Sequence, residues 1–373
     1  MNHVRYGESA QRRRRVFRAA NPAPPWPPRA RRGAARGYGA VVDHFARLTV
    51  LGSLNMDISV TVPALPGPGA TVLGGAASFA PGGKGANQAV AAARLAAEAG
   101  IGVRMVGCLG DDDFGRTLRA TLNREGVDDD AVRTVPGERT GIAMITVDEA
   151  GENIITVAPG ANRAVGPQEL AALGDGDGPR GVLVISAEIP APAVLAALED
   201  GGGPSGRRPL TVLNLAPAPP KEQAAAILGA RPDWLIVNES EAAAVLGRPV
   251  SGLAEAAVAA ADLVAAGARY AVVTAGAAGA AYHAAPGPGG DQPARRTVPA
   301  FRVRAVDTVG AGDTFVGALA VALAAGIPAA DAVTAASAAG AAAAARPGTQ
   351  EGMPRPADIS IATGYEWPLS VVK

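Results

Sequence analysis

The stretch Asp307-Thr308-Val309-Gly310-Ala311-Gly312-Asp313 places two acids around a run of small residues, and the uncharged segment 315–330 follows it. A glycine turn that runs into a helix leaves backbone N–H groups free at the helix start, where they can bind an anion. Asp313 would lie at the mouth of that site, where a carboxylate could take a proton from a hydroxyl that attacks phosphorus. A glycine C-cap followed by an aspartate N-cap would produce the same heptapeptide without chemistry, so the rest of the chain must decide.

Composition indicates one large α/β domain or two small ones in the 373 residues. Apolar residues make up 48% of the chain and aromatic residues only 4%, which predicts a core built mostly of Ala, Val and Leu. Charge is divided unevenly, because residues 1–47 carry a net charge of +9 and the remainder carries −9. An acidic folded part argues against a nucleic-acid surface there.

Residues 1–47 are rich in Arg, Pro and Ala, and we predict that they are disordered. A basic arm for nucleic acid or an acidic membrane and a misplaced start are the alternatives. Cys108 is the only cysteine, which excludes an intrachain disulfide and fits a reducing cytoplasm. Neither a membrane span nor a secretory signal is recognisable. We therefore expect a cytoplasmic protein with neither nucleic acid nor membrane as a partner.

Apolar strands alternate with helical segments along much of the chain. A short buried strand is predicted at 48–52, and four more are predicted at 182–186, 211–215, 234–237 and 270–274. This alternation is typical of an α/β fold with a parallel sheet, in which ligands bind beyond the carboxyl ends of the strands. The polar residues at those ends are Glu188, Asn214, Asn238 with Glu241, and Thr274.

Two polar stretches near the start of the chain are candidate binding elements. Asn55 and Asp57 stand two apart, so an extended segment would present both to neighbouring hydroxyls, although an Asx-turn pair is the alternative. The run Gly83-Lys84-Gly85-Ala86-Asn87 lets a backbone approach a ligand closely. It is not a P-loop, because Gly85 stands where Ser or Thr is needed. A plain surface lysine at a helix start is the alternative role for Lys84.

Three further patterns have simple structural interpretations. We predict an edge strand at 71–80 and a hairpin formed by 140–147 and 153–159. The glycines of the segment 274–279 would let backbone amides reach phosphate oxygens. Asp111 to Asp113 could suggest a metal, but acids at a helix N-terminus are explained more simply by the macrodipole.

Two of these motifs carry a resemblance to a known family. The sequence from Asp307 to Phe315 resembles the C-terminal signature of the ribokinase-like (PfkB) sugar kinases, and the sequence from Gly82 to Ala89 resembles their N-terminal signature. The resemblance implies a ribokinase-like three-layer α/β/α sandwich with a mostly parallel central sheet and a small β-sheet lid. It places the kinase domain at 48–356, lid strands within 58–80 and 140–159, and a peripheral tail at 357–373. It also implies a homodimer formed through the lid.

The resemblance assigns roles residue by residue. Implied sugar-binding residues are Asn55, Met56, Asp57, Gly83, Lys84, Gly85, Ala86, Asn87, Glu188 and Asp313. Implied nucleotide-binding residues are Asn238, Glu241, Thr274, Ala275, Gly276, Ala277, Ala278, Gly279, Gly312, Asp313 and Ser337. Asn238 and Glu241 also fit a capping box without any ligand. Ser337 stands where the family often has His or Asn beside adenine.

The resemblance also implies that two metal ions bind the protein. Mg²⁺ would be coordinated by the ATP phosphates and would contact Glu241 through water. A monovalent cation, K⁺, would lie beside the catalytic turn. Its implied residues are Asp307, Val309, Ala343, Arg346, Gly348 and Gly352. Gly352 departs from the family pattern, since a serine often helps bind the cation at that position.

The implied activity is ATP-dependent phosphorylation of a pentose, D-ribose at O5. Asp313 would be the general base, with Gly310, Ala311 and Gly312 as the anion hole. A related kinase for deoxyribose, fructose or a nucleoside remains open. A dinucleotide-binding oxidoreductase is disfavoured because no G-x-G-x-x-G follows the first strand. A sugar-binding regulator without catalysis is disfavoured because Asp313 and the turn glycines are intact.

Overall fold

The computed structural model describes residues 47–174, 181–200, 208–286 and 295–369. In those ranges the strands are β1 (Arg47–Leu51), β2 (Asn55–Val62), β3 (Ser78–Gly82), β4 (Gly102–Gly110), β5 (Asp128–Val135), β6 (Gly141–Asp148), β7 (Asn153–Ala158), β8 (Gly181–Ser186), β9 (Leu210–Asn214), β10 (Trp234–Asn238), β11 (Tyr270–Thr274), β12 (Gly279–Ala284) and β13 (Arg295–Pro299). The α-helices are α1 (Lys84–Ala96), α2 (Asp113–Arg124), α3 (Pro167–Gly174), α4 (Ala191–Asp200), α5 (Lys221–Gly229), α6 (Glu239–Leu246), α7 (Gly252–Ala265), α8 (Ala311–Ala324), α9 (Ala329–Ala344), α10 (Thr349–Gly352) and α11 (Pro356–Thr363).

The main sheet has nine strands in the order β13-β12-β11-β10-β9-β8-β1-β4-β5. In this order, the seven strands from β11 through β1 to β5 pair in parallel with their neighbours. β12 and β13 add two antiparallel strands at one edge. β8 and β9 are buried along their whole length. A strand that is covered on both faces is apolar at every position rather than at alternate ones, which explains the continuous apolar runs in the sequence.

Helices cover both faces of this sheet. One apolar core contains side chains of α1, α2, α8, α9 and α11, and a second core contains side chains of α3 to α7. The predicted three-layer α/β/α sandwich is therefore confirmed. Alanine-rich α8 lies close to α1, since a Cβ at Gly317 would be 2.8 Å from the carbonyl oxygen of Gln88. No helix in the described ranges is both long enough and apolar enough to cross a membrane.

A second, four-stranded sheet has the order β3-β2-β6-β7. It contains the predicted hairpin as β6 and β7, and it corresponds to the predicted lid. β2 begins at Asn55, three residues before the expected lid region, so Asn55 and Asp57 lie on a lid strand. The predicted edge strand was too long, because only Ser78–Gly82 pairs with β2 and residues 71–77 form neither helix nor strand.

Several boundaries differ from the sequence predictions. Helix α1 begins at Lys84, inside the glycine run. Strand β5 was not predicted, because its first three residues are aspartates, which are rare in strands. The tail predicted as peripheral is packed on the core: Ile359 is fully buried, and buried Trp367 donates its indole N–H to Leu95 O at 3.2 Å. The predicted disordered segment 1–47 lies outside the described residues except for Arg47, which begins β1.

Candidate active site

Polar residues meet at the carboxyl ends of the parallel strands, as expected. Glu188 follows β8, and Asn214, Asn238 and Thr274 are the last residues of β9, β10 and β11. A cleft forms at this edge of the sheet. It is lined by Lys84, Asn214, Ala216, Ile236, Val237, Asn238, Glu241, Thr274, Gly310, Gly312 and Asp313. Residues from both signature motifs and from three strand ends therefore share one cleft.

Asn55 and Glu188 are joined by a hydrogen bond beside the cleft residue Lys84. Asn55 is buried, and its Nδ2 donates to Glu188 Oε2 at 3.2 Å. The same carboxylate oxygen accepts from Ser53 Oγ at 2.5 Å and from the Lys84 backbone N at 3.4 Å. Asn55 Oδ1 accepts from Asn162 Nδ2 at 2.8 Å. The Asn55 amide and the Glu188 carboxylate are thus held in fixed orientations.

Asp57 lies on the same face of β2 as Asn55, which agrees with the extended geometry and not with an Asx-turn. Burial is the main cause that raises the pKa of Asp57 to about 7, and the negative charges of Glu188 and Asp313 raise it further. Lys84 opposes these effects. Met56, between the two, is buried in the apolar core, so any contact it makes with a sugar would come from its backbone.

Asp313 lies in the first turn of α8, at the third helical position. Gly310, with φ of 78°, is the N-cap, so the alternative of an aspartate N-cap at position 313 is wrong. Asp313 Oδ2 accepts from Asn87 Nδ2 at 2.9 Å, and Oδ1 accepts from Gln88 Nε2 at 3.0 Å. The first N–H groups of a helix have no intrahelical acceptor, so those of Gly312 and Asp313 are placed to bind an anion at the helix start.

Lys84 is a cleft residue and not a surface lysine. Burial alone would lower the pKa of its ammonium group, but Asp313, Glu188 and Glu241 together hold that pKa above its usual value. The group therefore remains a cation, placed between the carboxylates that line the cleft. A half-buried cation beside a helix N-terminus adds to the attraction for phosphate oxygens.

The predicted nucleotide residues occupy different parts of the structure. Asn238 and Glu241 form a complete capping box at the start of α6, and burial raises the pKa of Glu241. Thr274 ends β11 at the cleft. A single 3-10 turn, Gly276–Ala278, follows between Ala275 and Gly279 and leads into β12. Ser337 lies within α9 and donates its hydroxyl to Val333 O at 2.9 Å.

The predicted cation residues lie together behind the glycine turn. Asp307 accepts from the backbone N–H of Val309 at 3.0 Å and of Gly348 at 3.1 Å. Arg346 N donates to Ala343 O at 3.0 Å, at the end of α9. A Cβ at Gly352 would be 3.3 Å from Arg346 O, so a side chain there would be in tight contact with a backbone carbonyl.

The acidic run 111–113 has the structural role that the sequence favoured. Asp112 caps α2 by accepting from Gly115 N at 2.9 Å, and it also accepts from Thr140 Oγ1 at 2.6 Å. Burial opposes ionisation of Asp112, but the hydrogen bonds from Thr140 and Gly115 outweigh it and lower the pKa. Over the described part of the chain, no group of three or more His, Cys, Asp or Glu side chains could hold a metal.

Sequence reasoning missed four side chains that hold the site together. They are Ser53, Gln88, Asn162 and Gln350. Gln88 follows directly after the predicted binding run and is fully buried, so its place in the motif was a usable signal. The others touch the site only through partners distant in the sequence, which no local pattern reveals.

Comparison with known proteins identifies similar sequences and similar structures. The model of the pfkB family carbohydrate kinases matches residues 46–356. The ribokinase of Schizosaccharomyces pombe is 37% identical over 312 residues, covering 82% of this chain and 94% of its own. The ribokinase structure from Thermotoga maritima has a TM-score of 0.72 at 30% identity, covering 85% of this chain and 99% of its own. The Arabidopsis thaliana ribokinase complexed with ribose and ATP has a TM-score of 0.70 at 28% identity, covering 86% of this chain and 100% of its own.

Proposed function

Because the chain belongs to the pfkB family of carbohydrate kinases and is therefore a sugar phosphotransferase, we propose that it uses ATP to phosphorylate D-ribose at O5. The observation that carries this proposal is the Asp313 carboxylate at the start of α8, held by Asn87 and Gln88 and facing Lys84 in the cleft. A base, a cation and free backbone amides at one point are what transfer of a phosphoryl group to a hydroxyl requires.

The sugar would be held between the lid and the main sheet. Asn55, Asp57 and Glu188 would place an amide and two carboxylates at one end of the sugar pocket. These groups can hydrogen bond to several neighbouring hydroxyls of a sugar. Backbone groups of Gly83 to Ala86 lie next to these side chains, since the Lys84 backbone N donates to Glu188. Gly85 passes the residue after β1 so closely that a Cβ there would be 2.7 Å from Gly52 C. Asn87 connects this pocket to Asp313. The primary hydroxyl of the sugar would then point at the base.

Asp313 would accept the proton of that hydroxyl as oxygen attacks the γ-phosphorus of ATP. The amides of Gly312 and Asp313 would stabilise the charge that develops on the transferring group, with Gly310 shaping the turn. The amide of Ala311 donates to Thr308 O at 3.3 Å and would not take part. Lys84 would neutralise phosphate charge on the opposite side. The base and the anion hole therefore belong to one helix start, so a single local geometry serves both roles.

ATP would extend from this point along the strand ends. Asn238, Thr274 and the turn 275–279 lie along the path, and Ser337 would be at its far end. The half-buried Glu241 carboxylate fits a water-mediated contact to Mg²⁺, an ion that keeps several of its waters and prefers oxygen ligands. Mg²⁺ would supply charge neutralisation on the phosphates.

The chain's residues also fit a monovalent cation. Carbonyl oxygens suit K⁺, and those of Arg346 and Pro347 lie beside Gly352, at 3.3 and 3.2 Å from an added Cβ. Asp307 lies on the same loop and would be joined by the carbonyls of Val309, Ala343 and Gly348. K⁺ would fix the loop that carries the anion-binding amides.

We also infer that two copies of the chain associate through their lids and that the enzyme acts in the cytoplasm. The lid strand β7 is exposed along its whole length, and it presents Ile154, Ile155 and Val157. An exposed apolar edge strand is a site where another chain can pair and bury it. One buried cysteine and the use of ATP fit a reducing compartment.

A coupled assay of ADP formation tests the proposal. Purified full-length protein is supplied with MgATP, KCl and, in separate reactions, D-ribose, 2-deoxy-D-ribose, D-fructose or adenosine. We expect kcat/KM to be highest for ribose, with ribose 5-phosphate identified as the product. A higher value for another acceptor would assign the enzyme to a different member of the family, and binding of ribose without turnover would indicate a regulator.

A further inference from the structure

A buried chain of side chains leads from Asp313 to the segment after α9. Asn87 donates to Asp313 with its amide nitrogen and accepts with its amide oxygen from Gln350 Nε2 at 3.0 Å. Asn87 is 5% exposed and Gln350 is 4% exposed. We propose that Gln350 is a positioning residue for phosphoryl transfer, which orients the Asp313 carboxylate through Asn87. This inference rests on the proposed function, in which Asp313 is the base.

The Asn87 amide can face Asp313 in two ways. With its nitrogen toward the carboxylate it donates a hydrogen bond, whereas with its oxygen toward the carboxylate two acceptors would face each other. Gln350 supports the first arrangement, because its Nε2 donates to the Asn87 oxygen and so keeps that oxygen away from the carboxylate. The base therefore receives a donor from Asn87 in addition to the one from Gln88, and its two oxygens are fixed in direction.

Gln350 is itself held firmly against α1. Arg94 Nη1 donates to the carbonyl oxygens of Gln350 at 2.6 Å and Met353 at 2.7 Å. The remaining nitrogens of Arg94 form a two-pronged ion pair with Glu125, at 2.8 and 3.0 Å. Their side chains are only 12% and 10% exposed. Asn87 and Arg94 are seven residues apart and share one face of the helix, so α10 is attached to α1 at two points.

An unpaired atom of Gln350 indicates that this residue positions Asn87 and does not only stabilise the fold. Gln350 Oε1 is buried and has no hydrogen-bond partner among the described residues. A buried acceptor without a donor costs stability, so the amide is a poor choice if its purpose is only to fill space. The cost is understandable if the Nε2 donor is needed to set Asn87. An unbranched apolar side chain of similar length would fill the space without the donor.

The test is Gln350→Met, compared with wild type by kcat and by thermal melting. We expect kcat with saturating ribose and ATP to fall about tenfold, since small displacements of a catalytic group have large effects on rate. The melting temperature should change little, because the variant removes one unpaired atom and creates another at Asn87. A control is Trp367→Phe, which removes a hydrogen bond to the same helix at Leu95 and should leave kcat unchanged.

A second measurement places Gln350→Met in the Asp313→Asn background. If Gln350 acts on the base, the tenfold loss should nearly disappear there. The proposal is overturned if Gln350→Met keeps more than half of the wild-type kcat, or if its loss is undiminished in the double variant. Failure of the proposed function would look different: wild type would not turn over ribose, or Asp313→Asn alone would keep its activity, and the proposal would fall with it.

Discussion

The surroundings of Asp57 strongly oppose its ionisation. Its pKa of about 7 in the folded chain lies far above the ordinary value of 3.8, mainly because of burial and then because of Glu188 and Asp313. A folded-state pKa above the unfolded value means that the folded chain binds the proton more tightly. Stability therefore falls as pH rises between these two values and stays low above pH 7.

Asp57→Asn should accordingly stabilise the protein at pH 8, because asparagine keeps the shape and has no charge to bury. We expect a gain on the order of 1 kcal/mol, seen as a melting temperature about 2–4 °C higher. The gain should shrink toward pH 5, where Asp57 in the wild type is already mostly protonated. Thermal melts at both pH values measure this, with Asp111→Asn, whose side chain is 68% exposed, as the control. A lower melting temperature at pH 8 would contradict the electrostatic account.

At this scale the sequence predicted the charged members of the site but not the groups that orient them. Asn55 and Asp57 stood out because they are two residues apart in the chain, and Lys84 and Asp313 stood out because they lie in glycine-rich runs. Gln350 could not be identified in this way, because its partner Asn87 is 263 positions away. Contacts of that separation are decided by how α1 and the last helices pack.

The junction between the lid and the main sheet depends on a glycine at the start of β6. β6 begins at Gly141, where a Cβ would lie 2.1 Å from Asn55 Oδ1 and 2.4 Å from Asn162 Nδ2. Neither atom has room to move, because Asn162 also binds both backbone groups of Leu54. The start of β6 therefore fixes the Asn55 amide.

Gly141→Ala should weaken sugar binding by displacing Asn55. We expect kcat/KM for ribose to fall by roughly tenfold or more, consistent with overpacking costs of about 1–3 kcal/mol, while KM for ATP changes little. Steady-state kinetics with each substrate varied in turn measures the effect. Gly102→Ala, at the start of β4 with nothing within 4 Å of its added Cβ, should behave as wild type. An unchanged kcat/KM in Gly141→Ala would show that Asn55 does not bind the sugar.

The loop from the end of α9 to α10 should make the enzyme respond to K⁺. We expect KCl to raise kcat and the melting temperature above the values in NaCl or CsCl at equal ionic strength, because an ion bound only by the folded chain stabilises it. Gly352→Ala would place a methyl group beside the carbonyls of Arg346 and Pro347 and should reduce both responses. Equal rates and equal melting temperatures in the three salts would argue against a functional cation site.

Elements with simple patterns were predicted well, and those formed by tertiary contacts were not. The buried parallel strands follow from continuous apolar runs, and α8 follows from its uncharged sequence. β5 exists despite three leading aspartates because Arg119 binds Asp129 at 2.6 Å and Val132 O at 2.5 Å. Trp367 packs against α1 through Leu95, which is 272 positions away. The sequence of the tail alone therefore could not predict that Trp367 is buried.

Lid-to-lid association belongs to the scale of the whole molecule. Ile154→Lys places a charge on the exposed strand β7, and burying it in an interface would be costly. We expect the wild type to have twice the 37.0 kDa mass of one chain and the variant to have the mass of one chain, as measured by light scattering after gel filtration. Val258→Lys, on α7 with nearly the same exposure (47% against 48%), should remain a dimer. A monomeric wild type would contradict the inference.

The site as a whole is assembled from distant parts of one chain. Lys84 and Asn87 come from the first helix, the cleft wall from three strand ends, and Asp313 from α8. The two signature motifs meet because α1 and α8 pack on the same face of the sheet. Phosphoryl transfer at this meeting point is the central claim, and Asp313 is the residue on which it depends.

The most direct test is the turnover number of Asp313→Asn with saturating D-ribose and MgATP. Asparagine keeps the size of the side chain and can still hydrogen bond, but it cannot accept the hydroxyl proton. We predict that kcat falls by about two to four orders of magnitude, while the dissociation constants of ribose and ATP measured by calorimetry change only modestly. Retention of more than roughly a tenth of wild-type kcat would exclude a base contribution of that size and contradict the account.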